Sequence, residues 1–234
     1  REFERGKINV SSAGTMLSFM EKPNFKMSIG FAQYSAEGNL CGDTIKTIND
    51  SRGHMIFIIS DGMGKGSRAA LDGAMGAGLL SKLLSAGFGF DSSLKVVNSA
   101  LLVKSHEESL ATLDCIRVDL FSGKCEFYKA GAPKSYVVKE NSLTKCELTS
   151  MPAGILRGVE FAKRTTLLNT DDEIIMMSDG ITDVGDDWLE EFLKLETSFD
   201  PNEKAKAILR LALENSDEKH RDDMSVIVAK MIEK

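Results

Sequence analysis

Short apolar blocks run along the chain, and their spacing switches between a period of two and a period near 3.6. Lys26–Tyr34 (KMSIGFAQY) predicts a strand, with Asp43–Asn49 (DTIKTIN) as its partner. Ser51-Arg52-Gly53 marks a turn, and the continuous apolar run His54–Ser60 (HMIFIIS) predicts a buried strand. Ser67–Ala86 follows as a helix, with Leu79, Leu80, Leu83 and Leu84 at helical spacing. Asp91–Ser105 predicts a second helix, with Leu94, Val97, Leu101 and Leu102 on one stripe. Thr112–Leu120 alternates, placing Ile116, Val118 and Leu120 on one face. Phe121–Lys124 reads as a hairpin turn, Cys125–Ala130 and Ser135–Lys139 as strands, and Asn141-Ser142 as the start of another turn. Further strands are expected over Glu160–Leu168, Glu173–Ser178 and Met224–Ile232. Helices are expected over Asp187–Leu195 and Pro201–Asn215, the second with Pro in its first turn.

Two batches of helices within an antiparallel strand series predict an α+β fold, a layered α-β-β-α sandwich of two antiparallel sheets with flanking helices. Residues 1–22 are weakly patterned and read as a linker or regulatory segment, helical or irregular, ahead of one domain over 23–234. Gly73, Gly76 and Gly78 fall inside the Ser67–Ala86 helix, where each would weaken an exposed helix by about 1 kcal/mol relative to Ala. They are explained if that helix packs closely on a neighbour, or if it must move.

Composition narrows the function. The hydrophobic fraction of 42% supports a packed core. Lys and Arg number 29 against 35 Asp and Glu, a net charge of −6, and no basic tract marks a nucleic-acid face. No uncharged apolar run approaches the roughly 18 residues that span a bilayer. The charged start Arg1-Glu2-Phe3-Glu4-Arg5 is unlike a signal peptide, and without an initiator methionine the chain reads as a fragment of something longer. Cys41, Cys115, Cys125 and Cys146 fit no zinc spacing and read as buried thiols of a reducing compartment. The three histidines, His54, His106 and His220, read as surface or packing residues. Carboxylates are left as the chemistry-bearing group.

Two segments 118 residues apart are alike: Ile58-Ile59-Ser60-Asp61-Gly62 and Met176-Met177-Ser178-Asp179-Gly180. Each is an apolar strand ending in Ser-Asp-Gly, which sets an acid at a sheet rim and lets the chain turn. Asp-Gly by itself is ordinary turn chemistry. Asp43 at the mouth of one strand, and Asp222 and Asp223 before the last, add acids at apolar strand ends. Crowded there, they would need divalent cations, and an all-oxygen ligand set selects Mg²⁺, Mn²⁺ or Ca²⁺.

In order, Gly42-Asp43, Asp61-Gly62-Met63-Gly64, Ala130-Gly131-Ala132-Pro133, Ser178-Asp179-Gly180 and Asp222-Asp223-Met224-Ser225 resemble the metal-dependent protein serine/threonine phosphatases, the PPM or type-2C family. Gly64-Lys65-Gly66 and Pro152-Ala153-Gly154-Ile155 are similar to its bacterial branch, which acts in sigma-factor partner switching. The resemblance implies two Mn²⁺ or Mg²⁺ ions between two sheets. Asp61 would bridge them, Asp179 and Asp222 would complete one site, and Asp43 with the Gly62 carbonyl would serve the other. Asp183 matches a third, weaker metal position. Asp223 stands where many members have Asn, so the roles of Asp222 and Asp223 could be exchanged. Water activated by the metals would attack the phosphorus of a phosphoserine directly.

The implied substrate is a small phosphorylated anti-anti-sigma factor protein whose dephosphorylation activates a sporulation sigma factor. The implied setting is a cytoplasmic domain of a membrane-anchored parent, with an N-terminal regulatory region that could form a homodimer. A shift of the glycine-rich helix, Ser67 to Ala86, would couple that region to the metal site. Met63 and Ala132 stand where relatives often carry His, so no general acid is evident for the serine leaving group. Lys65 and Arg68 are phosphate-binding candidates. Two alternatives remain: a non-catalytic or switched-off binding module, and a nucleotide site through Gly64-Lys65-Gly66, which would need a βαβ unit.

Overall fold

The computed structural model describes residues 3–11, 14–36, 38, 40–50, 52–64, 66–104, 109–140, 142–195 and 200–234, and for 3–20 the backbone alone. The chain opens with β1 (Phe3–Ser11) and β2 (Gly14–Glu21), paired antiparallel with each other. This hairpin replaces the helical or irregular segment expected there. The next strands are β3 (Phe25–Tyr34), β4 (Asp43–Asn49) and β5 (His54–Asp61). Helices α1 (Gly66–Ser85) and α2 (Phe90–Lys104) follow. Then come β6 (Leu113–Asp119), β7 (Lys124–Ala130), β8 (Ser135–Lys139), β9 (Ser142–Cys146), β10 (Ala162–Leu167) and β11 (Glu173–Met177). A short α3 (Asp179–Thr182), α4 (Asp187–Leu195), α5 (Pro201–Asn215) and β12 (Met224–Glu233) complete the chain.

Two five-stranded sheets result, ordered β10-β7-β6-β5-β4 and β3-β12-β11-β8-β9, with every pair antiparallel. The expected pairing of β3 with β4 is wrong. β3 lies in the second sheet beside β12, and β4 pairs with β5 in the first. The short β3–β4 connection therefore crosses between sheets, a step that local alternation cannot reveal because both strands are individually regular. Ser142, read as part of a turn, instead begins β9.

Three apolar layers match the alternation of each strand. Ile56 and Ile58 of β5 pack outward on Leu80 and Leu84 of α1 and on Leu94, Val97 and Leu101 of α2. Phe57 and Ile59 point the other way, into the space between the sheets, against Ile174 and Met176 of β11 and Ile227 of β12. Ile175 and Met177 face the far layer with Leu189 and Leu193 of α4 and Ile208 of α5. Each fully buried Ile, Phe or Met is worth roughly 1.5–3 kcal/mol. A one-residue slip of β5 would turn Phe57 and Ile59 outward and bring Ser60 inward, so register is strongly specified. That register also puts Asp61 on the inner face.

Close packing of α1 explains Gly73 and Gly76. A Cβ on Gly73 would stand 2.3 Å from the Gly42 carbonyl oxygen, and one on Gly76 would stand 3.0 Å from Ser60 Oγ. Gly78 faces open space, so packing does not explain it.

Candidate metal centre

The acids collect at one end of the sandwich because five chain segments end or turn there. Asp43 opens β4 and Asp61 closes β5, and the two are register partners. Paired residues of an antiparallel ladder share a face, so both carboxylates point between the sheets. From the second sheet, Asp179 follows β11 and begins α3, while Asp222 and Asp223 immediately precede β12. Gly62 must be glycine: a Cβ there would lie 1.9 Å from the Ala69 carbonyl oxygen of α1.

The electrostatics report the crowding. Burial, then the charges of Asp179, Asp43 and Asp222, push the Asp61 carboxyl up to about 8. Burial, then Asp43, Asp183 and Asp222, raise Asp179 to about 6. Burial also pushes Asp43 upward. The hydroxyls of Ser178 and Ser225 face Asp43 and moderate that shift, yet both its oxygens are buried without a well-formed hydrogen bond. A buried carboxylate with unpartnered oxygens beside three further acids is costly unless a cation is supplied.

Among the described residues, no three acidic, histidine or cysteine side chains are grouped closely enough to ligate one ion. The predicted acids raise one another's pKa but are not closed into a coordination shell. Its all-oxygen character and the unpartnered oxygens of Asp43 fit hard divalent cations. Asp183 is exposed, one helical turn from Asp179, and donates its backbone N–H to the Asp179 carbonyl at 2.8 Å.

Asp222 and Asp223 differ in what they do. Asp222 is exposed, and its Oδ1 accepts the Asp223 amide at 2.8 Å. Asp223 is occupied: Oδ1 accepts from the Ala36 amide at 2.8 Å, and Oδ2 accepts from the Gly42 amide. Asp223 thus carries two long-range backbone bonds, and Asp222 accepts the amide of its neighbour.

Residues without an assigned role in the sequence also shape the site. Gln33 Nε2 donates to the Asp43 carbonyl at 3.0 Å and to Ser225 Oγ at 3.0 Å. Thr112 donates its backbone N–H to the Asp61 carbonyl at 2.8 Å, and its hydroxyl accepts from the Asp61 amide at 3.1 Å. Ser178 lies within the repeated Ser-Asp-Gly, which was a usable signal. Gln33 had none, since its partner Ser225 lies 192 residues away.

The other candidates separate. Arg68 is exposed in the first turn of α1, and Lys65 lies outside the described residues, as does His106. His54 pairs with Asp50 at 2.9 Å and His220 with Asp217 at 2.8 Å, so each is engaged locally. All four cysteines are free, three of them buried, and burial with the Asp43 charge pushes the Cys41 thiol up to about 12. That removes thiolate chemistry beside the site. The nucleotide alternative fails on topology: Gly64-Lys65-Gly66 does lie between β5 and α1, but α1 leads to α2 and no parallel pair exists among the described strands.

Comparison with known proteins agrees with this architecture. A profile of the family described as stage II sporulation protein E (SpoIIE) matches residues 51–232. Stage II sporulation protein E of Bacillus subtilis (strain 168) is 28% identical over 222 residues, covering 92% of this chain and 27% of that protein. The chain thus spans about a quarter of the length of that curated relative. The solved PP2C phosphatase domain of SpoIIE from Bacillus subtilis, with a fragment of its regulatory domain, has a TM-score of 0.85 at 26% identity, covering 100% of this chain and 70% of that one. The catalytic domain of serine threonine protein phosphatase PstP, in complex with 2 manganese ions, has a TM-score of 0.71 at 18% identity, covering 89% of this chain and 100% of that one. The chain belongs to the stage II sporulation protein E family, and its two-sheet sandwich is a PP2C-type phosphatase domain.

Proposed function

We propose that this chain is a Mn²⁺- or Mg²⁺-dependent protein serine phosphatase. The observation that carries the reading is the inward-facing pair Asp43 and Asp61, coupled to Asp179 and Asp222 from the opposite sheet. A phosphoryl dianion would be repelled by such a cluster alone, so the site suits phosphate only with cations in place. Asp43, Asp61 and the Gly62 carbonyl would hold one ion, and Asp61, Asp179 and Asp222 the other. Asp183 would serve a third, weaker position. Bound there, the ions would supply charge neutralisation at the phosphoryl oxygens and acidify the attacking water. The chain's own part is orientation. Gln33 and Thr112 hold the backbones of Asp43 and Asp61, and the strand registers hold their side chains inward. His54 and His220 are held by Asp50 and Asp217, so neither is offered as the proton donor to the serine oxygen.

Family membership supports a phosphoserine on a small anti-anti-sigma-type protein as substrate, and activation of a sporulation sigma factor as the outcome. It likewise supports a cytoplasmic domain of a membrane-anchored parent with an N-terminal regulatory region and a homodimeric state. Among the described residues no helix is long and apolar enough to cross a membrane. The test is phosphate release from a phosphoserine protein with and without Mn²⁺. Metal-dependent release that disappears in Asp179→Asn is expected. Release without metal, or a fully active Asp179→Asn, overturns the mechanism. Calorimetric Mn²⁺ binding with no turnover would favour the switched-off binding module, a reading consistent with acids not closed into a ligating group.

A further inference from the structure

We infer that Asp223 is a positioning residue: its carboxylate latches the β3–β4 crossover onto β12 and so aims Asp43 into the metal centre. The inference rests on the proposed metal centre. Asp223 Oδ1 accepts the Ala36 amide at 2.8 Å, and Oδ2 accepts the Gly42 amide, from residues 187 and 181 positions earlier in the chain. The Gly42 carbonyl in turn accepts the Gly62 amide at 3.3 Å. One peptide segment therefore ties the two sheets at the acid-bearing end: Gly42 N–H reaches the loop before β12, and Gly42 C=O reaches the end of β5. Asp43 is the next residue. Its own carbonyl is held by Gln33 of β3 at 3.0 Å.

Space at Gly42 agrees with a fitted latch. A Cβ there would stand 3.0 Å from Asp223 Oδ2 and 3.6 Å from Asp61 Oδ1. Side-chain chemistry explains why Asp suits this position. Two backbone N–H groups converge on it, one at each oxygen, and a carboxylate accepts both. An amide offers one oxygen, and its NH₂ would confront the second donor. Each Asp223 oxygen accepts a long-range backbone N–H, whereas Asp222 accepts the amide of its neighbour, so we assign ligation to Asp222.

The test compares Asp223→Asn, Asp223→Ala and Asp222→Asn by calorimetric titration with Mn²⁺, and by hydrogen exchange of the Ala36 and Gly42 amides in the metal-free chain. Loss of an outer partner of a ligand commonly weakens metal binding about 10–100-fold. Asp223→Ala is expected in that range, and Asp223→Asn, which keeps one bond, is expected to be weakened less. Both amides should exchange at least about tenfold faster in Asp223→Ala than in the parent. Asp222→Asn should lose Mn²⁺ affinity while leaving both amides protected. A parent that binds Mn²⁺ with an Asp223→Ala that binds equally tightly, or with unchanged amide exchange, overturns this inference alone. Asp223→Asn abolishing binding while Asp222→Asn retains it would make Asp223 the ligand and also overturn it. A parent chain that binds no Mn²⁺ removes the metal centre and the inference together.

Discussion

Asp43 and Asp61 sit directly opposite each other across β4 and β5, two acids on one inner face. Like charges in that relation destabilise a strand pair. In the folded chain the Asp61 carboxyl is raised to about 8 and that of Asp179 to about 6, whereas both titrate near 4 when unfolded. Between about pH 4 and pH 8 the metal-free folded chain therefore binds more protons than the unfolded one. Stability contributed by these groups is greatest at the acid end and is lost as pH rises through that window. Asp61→Asn should stabilise the metal-free chain by about 1–2 kcal/mol at pH 8, or about 2–4 °C in Tm per kcal/mol, and by much less at pH 5. Thermal unfolding in chelator at the two pH values checks this. An equal effect at both would show that the Asp61 charge is not the cause.

Asp43 and Asp179 should matter more than Asp183. Asp43→Asn and Asp179→Asn are expected to lower Mn²⁺-dependent phosphate release by more than about 100-fold, beyond the range typical of outer partners. Asp183→Asn, on an exposed residue, should cost only a few-fold at saturating Mn²⁺. Steady-state rates across a Mn²⁺ series provide the comparison.

Glycines of α1 and its neighbour should respond in opposite directions. Gly62→Ala would press a methyl against the Ala69 carbonyl, and Gly73→Ala would press one against the Gly42 carbonyl. Each should cost at least about 1–3 kcal/mol, because backbone supplies the obstacle. Gly78→Ala meets nothing within 4 Å and should stabilise by up to about 1 kcal/mol. Denaturant unfolding of the three variants would show the contrast.

Between the sheets, fully buried Lys129 pairs with Asp114 at 2.7 Å and also donates to Ser135 Oγ at 2.8 Å and to the Pro133 carbonyl at 2.6 Å. Lys129→Met leaves the Asp114 charge buried, and should cost about 3–5 kcal/mol. Adding Asp114→Leu should recover a large part of that loss, since replacing both members of a buried pair is often neutral. A double-mutant cycle in urea would measure the recovery.

Much of the strand and helix pattern was legible because the layers are separated by single-residue alternation. Phe57 and Ile59 against Ile56 and Ile58 already assign β5 two buried faces. Asp61 and Asp179 were legible as strand-end acids as well, because Ser-Asp-Gly after an apolar run occurs twice. The pairing of β3 was not legible. Its residues suit an edge strand beside β4 as well as one beside β12, and only the competition for partners across the whole chain decides.

By itself, the sequence determined which residues alternate, where the strands end and which carboxylates stand at those ends, since these follow from local chemistry and side-chain period. Tertiary structure alone decided that Asp43 faces Asp61, that Gln33 and Asp223 hold the crossover between sheets, and that Asp223 rather than Asp222 carries the two long-range backbone bonds. Those contacts join residues up to 192 positions apart, and hydrogen bonds over such separations leave no local period to read.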